Sequence, residues 1–459
     1  MKSITMKKIL LLTVAILLSC SMAFAQGIRK SYDEMTNNER NNLVNAFYQL
    51  RNGPDLINEL AVYHGEFFNF DNTEDPTRLD IHFNLPDEPE REVFFAWHRQ
   101  FVLELERAMQ NINPFITIPY WNSSVDQSIN SPLWATNFLG QFNSDWGLNR
   151  NLGGNDQLPM PSEVNQVQSL TNFFLYSDLM ERGPVHHGAH RWVGGAMAAT
   201  VSPRDPVFYL HHAYIDKLWQ EWEDLRGNSA YLRNSMLRYD GTYTFAGQTL
   251  PLVNPNNIVD GRVYGIFYAE DQLAQLDNYS VTNSYRNPEI FFYQYNIEAA
   301  NNFVVPANRT AVIESSVRIR LLPGFRASEG SNFIASIGNG NSLKDSPVIV
   351  RNTKPWDNRG IPINWDAYLP QDDRVKAAGD IRIFPNPFSE RITLMSKEIY
   401  DNWLIEIFDM QGRKLLQFTF GGGASVTIDK EISSLSPGTY HIKISTDGKM
   451  ITGSTIIKR

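Results

Sequence analysis

Apolar positions recur at helical spacing through the first part of the chain and at every second position through the last. The segment NNLVNAFYQL (41–50) has helical spacing behind Thr36-Asn37-Asn38-Glu39, a capping box. The same period predicts helices from Pro54 to Phe68, from near Pro89 through FFAWHRQFVLELERAM, through the HHGAH segment (186–190), and through VFYLHHAYIDKLWQEWEDL (207–225). The last of these begins at Asp205-Pro206, and proline suits the first turn of a helix. Stretches 122–165 and 227–260 are full of Asn, Gly, Pro and Ser and read as long loops. After about residue 288 the period changes to two. VRIRLL (317–322) and FIASI (333–337) read as strands around a turn-rich PGFRASEGSN. A polar, proline-bearing linker (353–374) follows. From 380 onward, IRIFP, RITLM, LIEIFD, LLQFTF, SVTI, YHIKIS and ITGSTIIK are short strands at the spacing of a small β-sandwich. No long internal repeat is visible. Helices first and strands afterwards imply separate domains. The expected fold is multidomain: a mainly α domain over 26–287, a β-rich module and linker over 288–372, and a β-sandwich over 373–459.

The first 25 residues read as a signal peptide. Lys2, Lys7 and Lys8 precede the apolar run ILLLTVAILL (9–18), and Ala23-Phe24-Ala25 fits the small-x-small cleavage pattern before Gln26. The run is too short for a stable membrane span. Leu17-Leu18-Ser19-Cys20 loosely matches a lipoprotein box, a rival reading in which Cys20 carries lipid. Cys20 is the only cysteine, so after ordinary cleavage the chain has neither disulfides nor thiolate metal sites. Any metal must be held by His, Asp or Glu. A net charge of −9 gives no basic face for nucleic acid.

Of nine histidines, eight fall between 64 and 212, on or near the expected helices: His64, His82, His98, His186, His187, His190, His211 and His212. His441 stands alone in the strand-rich tail and reads as a surface residue. One histidine by itself is most often structural; a cluster beside aromatics asks for another account. His186 and His190, four apart, share one helix face, while His187 points elsewhere. With His212 on another helix they can hold one ion. His64, His82 and His98 can hold a second. A set of imidazoles alone suits copper, with zinc the competitor.

Two stretches carry a resemblance to the tyrosinase family of binuclear (type 3) copper proteins. Asp205-Pro206-Val207-Phe208-Tyr209-Leu210-His211-His212, followed by Asp216, resembles the family's copper B signature, in which the second histidine, His212, is the ligand; HHGAHRWVGG adds His186 and His190. FFAWHRQFVLELE (94–106) resembles the copper A signature, with His98 as ligand and Arg99, Val102 and Glu106 in register. The resemblance spans about 35–287. It implies two copper ions on His64, His82, His98 and on His186, His190, His212, with O2 as co-substrate and a phenol as substrate. A catechol leaves as an ortho-quinone; a monophenol is first hydroxylated.

The chain departs from the family pattern in three places. His82 stands sixteen residues before His98, where the family's spacing is nearer nine, so a longer loop is expected. The thioether that some relatives form on that histidine needs a cysteine, and Asp80 occupies the matching position. Where many tyrosinases have Asn after the first copper B histidine, this chain has His187, with Glu181 the match for the Glu that partners that Asn in handling a water. His187 and Glu181 are therefore the candidate catalytic pair. Asp216 and His211 are the expected supporting residues, Arg99 and Glu106 make buried polar contacts, and Arg191 flanks the substrate entrance. Trp97, Trp192, Phe208 and Trp219 read as core.

The tail resembles the C-terminal sorting domain of the type IX secretion system, through FPNPFSERITL (384–394), IEIFDMQGRKLL (405–416) and SSLSPGTYHIKISTDGKMITGSTIIK (433–458). That resemblance implies a secreted or cell-surface protein, with the secretion machinery as partner and β modules that stand apart from catalysis. The reading is a secreted copper oxidase of ortho-diphenols, acting on monophenols if His187 permits. The alternatives are a haemocyanin-like O2 carrier and a surface binding protein with a degenerate metal site.

Overall fold

The computed structural model describes residues 27–356, apart from 54, 69–81, 83–92, 155, 232–235, 239–251, 285 and 339–350, and residues 381–458, apart from 385–387, 389–390, 410–412, 430–431 and 447–448. The segment expected as a signal peptide, Pro54, Pro89 and most of the expected linker lie outside the described residues. The chain forms two compact units, 1–366 and 367–459.

The expected helices around residues 41–50, 54–68, 94–109 and 207–225 form. Phe173–Arg182 is a helix where none was expected, and the short helices Gln141–Asp145 and Pro161–Gln168 interrupt or follow the stretch read as loop. The capping box is present at the start of α1 (Asn37–Asn52): Glu39 N–H donates to Thr36 Oγ1 and Thr36 N–H to Glu39 Oε2. α2 is Leu56–Phe68 and α3 Phe94–Ile112. α3 is buried on nearly all sides, including His98, Arg99, Glu106 and Arg107, so it is a central helix whose polar groups must find partners inside. α4 (Phe173–Arg182) runs into the histidine-rich segment. α5 (Val207–Arg226) starts after Pro206 and stops at Gly227, whose φ of 60° is the left-handed conformation of a glycine cap. Residues Val207–Gln220 of α5 are all buried. α3 and α5 lie side by side at the centre.

The strand-rich part begins at Ile266, well before residue 288. β1 (Gly27–Arg29), at the other end of the unit, pairs parallel with β2 (Ile266–Glu270). β3 (Leu273–Leu276), β4 (Glu289–Tyr293), β5 (Asn296–Ala299), β6 (Val304–Val305), β7 (Thr310–Ser315), β8 (Arg318–Leu321), β9 (Arg326–Ala327) and β10 (Asn332–Ile337) follow. β5 pairs parallel with β8, β6 with β9, and β7 with β10, each in a register 22 residues apart: Asn296↔Arg318, Val304↔Arg326, Thr310↔Asn332. This is a short three-sided parallel β-helix. Its repeat is structural, with little sequence identity to betray it. What recurs is turn chemistry and stacking. Asn302 and Asn308 have positive φ, and Gly324 and Gly330 have positive φ one coil later. Phe303 stacks on Phe325 with centroids 6.3 Å apart. A separate core of Ile28, Phe267, Phe291, Ile297, Phe303 and Ile313 fills the β-helix.

Residues 353–356, expected as linker, pack on the helical part. Trp146 N–H donates to Asn352 O at 3.0 Å, Trp356 N–H donates to Trp146 O at 3.1 Å, and the Arg51 guanidinium lies 3.3 Å from the Trp356 ring centre.

The second unit has its own core, including Trp403, Ile405, Ile407, Ile442 and Ile444. Its strands β11 (Arg382–Phe384), β12 (Ile392–Phe408), β13 (Lys414–Ile428), β14 (Gly438–Thr446) and β15 (Lys449–Lys458) join in one antiparallel set. The long β12 carries a register irregularity between Met395 and Tyr400, and pairs with β11 before it and β14 after it. The molecule is therefore multidomain, helical first and β afterwards, as the pattern of the chain implies. His441 is exposed.

Candidate metal centre

Eight histidines converge at the middle of the helical part, and all are buried. His64 lies on α2, His98 on α3, and His211 and His212 on α5. His186 and His187 lie in a wide helical turn, Pro184–Gly188, with π-type hydrogen bonding, which runs into the α-turn Ala189–Val193 carrying His190. Such wide turns mark functional segments. The four-residue spacing holds across it, and the rings of His186 and His190 are 4.7 Å apart. His82 sits in a bend outside any helix.

The nitrogens of His64, His82 and His98 lie within 4.8 Å of one another, and so do those of His186, His190 and His211. We call these groups A and B. They face each other: His82 and His186 stack with centroids 5.9 Å apart, and Phe94 lies 4.8 Å from the rings of both His98 and His186. His212, expected as the third donor of group B, lies between the groups. Its ring is 4.3 Å from His98, nearly parallel to it, and 5.1 and 5.7 Å from His186 and His190. The ring of His211 is 5.5 and 5.2 Å from the same pair. Ring positions thus do not separate the two residues, and the tighter set of nitrogens runs through His211, not His212.

Hydrogen bonds set which nitrogen each ring offers. Nδ1 of His64 donates to Thr200 O (2.6 Å), of His98 to Phe94 O (2.8 Å), of His186 to Glu181 O (2.8 Å) and of His190 to Met197 O (2.8 Å). His82 Nδ1 lies 2.8 Å from Glu181 Oε1. Each ring then turns Nε2 inward. The Nε2 atoms of His64 and His82 are 3.4 Å apart, and the buried Nε2 atoms of His98 and His186 have no protein partner. Buried acceptors aimed at one another with their second nitrogens tied back fit an ion and are costly without one. The donor set, imidazole alone, fits copper.

Burial sets the protonation state. Desolvation pushes His64 down to about 3 and His190 to about 4. It holds His82, His98, His186, His187, His211 and His212 well below the ordinary imidazole range, with the neighbouring rings adding to the effect. All eight are neutral near pH 7, the form that binds a metal.

The remaining candidate residues fall in different places. Asp216 anchors arginines: Arg99 Nε donates to Oδ1 at 2.5 Å and Arg29 Nη1 to Oδ2 at 3.1 Å, while Arg29 also pairs with Glu106 at 2.7 Å. Glu106 further accepts from Ile118 N–H. Arg99 and Glu106 thus make the buried contacts expected of them. His187 is buried, not facing solvent, with its ring 5.3 Å from His186. The Glu181 carboxyl group is fully buried and engages His82. Arg191, only partly buried, pairs with Asp156 at 3.0 Å. Trp97 and Phe208 are core residues that also touch the imidazoles, at 5.0 Å from His98 and 4.2 Å from His212. Two residues of the site, Arg29 and Phe94, carry no signal in the sequence: Arg29 lies far from any motif, and Phe94 looks like any apolar position of α3.

The model of the common central domain of tyrosinase matches residues 54–172 and 149–225. The chain is 32% identical over 245 residues to a tyrosinase of Streptomyces galbus, covering 45% of this chain and 86% of that protein. The chain belongs to the tyrosinase family. A tyrosinase of Streptomyces antibioticus is 38% identical over 178 residues, which are 30% of this chain and 65% of that protein. Hemocyanin 2 of Megathura crenulata is 28% identical over 231 residues, 43% of this chain and 6% of that protein. The family thus includes both. The model of the secretion system C-terminal sorting domain matches residues 382–458, so the second unit is a sorting domain. No helix among the described residues is long and apolar enough to cross a membrane.

Proposed function

We propose that the chain is a secreted binuclear copper oxidase that uses O2 to convert ortho-diphenols to ortho-quinones. The observation that carries this reading is the pair of buried histidine groups facing one another, with His64, His82, His98, His186 and His190 each held at Nδ1. His64, His82 and His98 hold one copper. His186, His190 and His212 hold the other. His212 is preferred to His211 because it faces group A, where a shared substrate must sit, while His211 turns toward Trp121, 6.4 Å away. The nitrogen positions favour His211, which is the alternative. Bound there, the copper pair supplies two-electron exchange with O2 and a phenol.

The chain's own residues do the rest. The tie-backs fix the rings of His64, His82, His98, His186 and His190, and the aromatic wall of Phe94, Trp97 and Phe208 keeps water out. His187, neutral and buried beside group B, is the base that takes a proton from a phenol, in the place where an Asn would act through a water. Arg191 flanks the entrance. The sorting domain supports a secreted or cell-surface location reached through the type IX machinery.

The likeness to a haemocyanin favours a second reading, a non-catalytic O2 carrier. O2 uptake by copper-loaded full chain, with a catechol and with the matching monophenol, separates them. Uptake with the catechol supports the oxidase, and uptake with both adds hydroxylation. Reversible O2 binding without turnover of either phenol supports the carrier.

A further inference from the structure

One residue holds a histidine of each group at once. The Glu181 backbone carbonyl accepts from His186 Nδ1 in group B, and its carboxyl oxygen Oε1 meets His82 Nδ1 in group A, both at 2.8 Å. Glu181 is the penultimate residue of α4 and completely buried. The other tie-backs, to Thr200, Phe94 and Met197, all use backbone oxygens that no single side-chain change removes. His82 differs twice. It is the donor of groups A and B that lies outside a helix, and its partner is a side chain.

We infer that Glu181 is a positioning residue that sets His82 into group A and fixes the distance between the two groups. This rests on the copper reading above. The arrangement is asymmetric. Replacing the side chain releases His82 and leaves the carbonyl on His186 intact. An imidazole held by a carboxyl group is also a stronger donor than one held by a carbonyl, so the two copper sites differ in affinity. A Glu181 that served mainly as a proton acceptor for substrate would behave in the opposite way, with turnover falling and metal unaffected.

The test uses the full chain stripped of metal, with Cu(I) alone as the probe and a competing chelator to read each affinity. Wild type binds two ions. Glu181→Gln, whose amide oxygen can still accept, binds two, one of them about 10–100-fold more weakly. Glu181→Leu binds one, with helical content unchanged by circular dichroism. Two ions at wild-type affinity in both variants would overturn the inference, and so would unchanged binding in Glu181→Gln with loss of turnover alone. If Glu181→Leu does not fold, the weaker site in Glu181→Gln decides. A wild type that binds no copper removes the copper reading itself and this inference with it; one that binds two ions leaves the variants to judge Glu181 separately.

Discussion

The Tyr268 hydroxyl donates to Asp216 Oδ2 at 2.5 Å, joining a strand of the β-helix to the helix that carries His211 and His212. Asp216 lies one turn beyond His212 and also receives Arg99, the neighbour of His98, and Arg29 from β1. Tyr268 lies within the segment 26–287 expected to hold the metal site, and the strand that carries it is tied directly to that site. Tyr268→Phe removes the hydrogen bond to the buried Asp216 carboxylate and the one accepted from Arg29 Nη1. The expected cost is about 1–3 kcal/mol of stability, read by thermal or denaturant unfolding, with both coppers still bound.

Truncation should show the same dependence. A chain ending at residue 290 keeps β2 and β3 but loses most of β4 and the coils after it, leaving Phe267, Ala274 and Leu276 without cover. It is expected to be insoluble or to unfold at markedly lower temperature. A chain ending at 356 retains the coils and Trp356 on Arg51, and should match the full chain in soluble yield and melting temperature.

Single alanine substitutions sort the ligands. His98→Ala and His190→Ala should each halve the copper content and abolish diphenol turnover, measured by metal analysis and O2 uptake. His212→Ala should do the same, while His211→Ala keeps two ions. The reverse pattern would move the third donor of group B to His211.

His187→Asn should alter the ratio of monophenol to diphenol turnover by several-fold with copper content unchanged. An unaltered ratio would remove His187 from the chemistry.

Acid should destabilise the metal-free chain. The eight buried imidazoles titrate lower in the folded chain than in the unfolded one, where about 6.5 is normal. Between the two values the unfolded chain holds more protons, so stability is full above the unfolded value and falls as pH drops toward the folded one. Each group contributes a slope of at most ~1.4 kcal/mol per pH unit. Unfolding midpoints at pH 7.5 and 5 test this; equal values would contradict it.

Much of this was legible in the sequence. The helices announce themselves by apolar period and by the Thr36 capping box. The two families announce themselves by motif, and the histidines by their clustering. The start of the β-helix was not legible, because its first strands are short and its coils share turn conformations rather than residues: Asn302 answers Gly324, and Asn308 answers Gly330. Nor was the hold of Glu181 on His82, since 99 residues separate them and only the fold brings them together. The order of His211 and His212 resists sequence for a different reason. Adjacent helix positions diverge by about 100°, and both directions here lead to imidazoles.

The coils of the β-helix rest on one another like steps of a stair, each touching only its neighbours. A coil inserted or removed among the last ones would leave everything beneath it in place. The histidine-bearing helices and their anchor at Tyr268 lie at the bottom of that stair. A whole coil of about 22 residues could therefore be gained or lost at the far end without disturbing the metal centre.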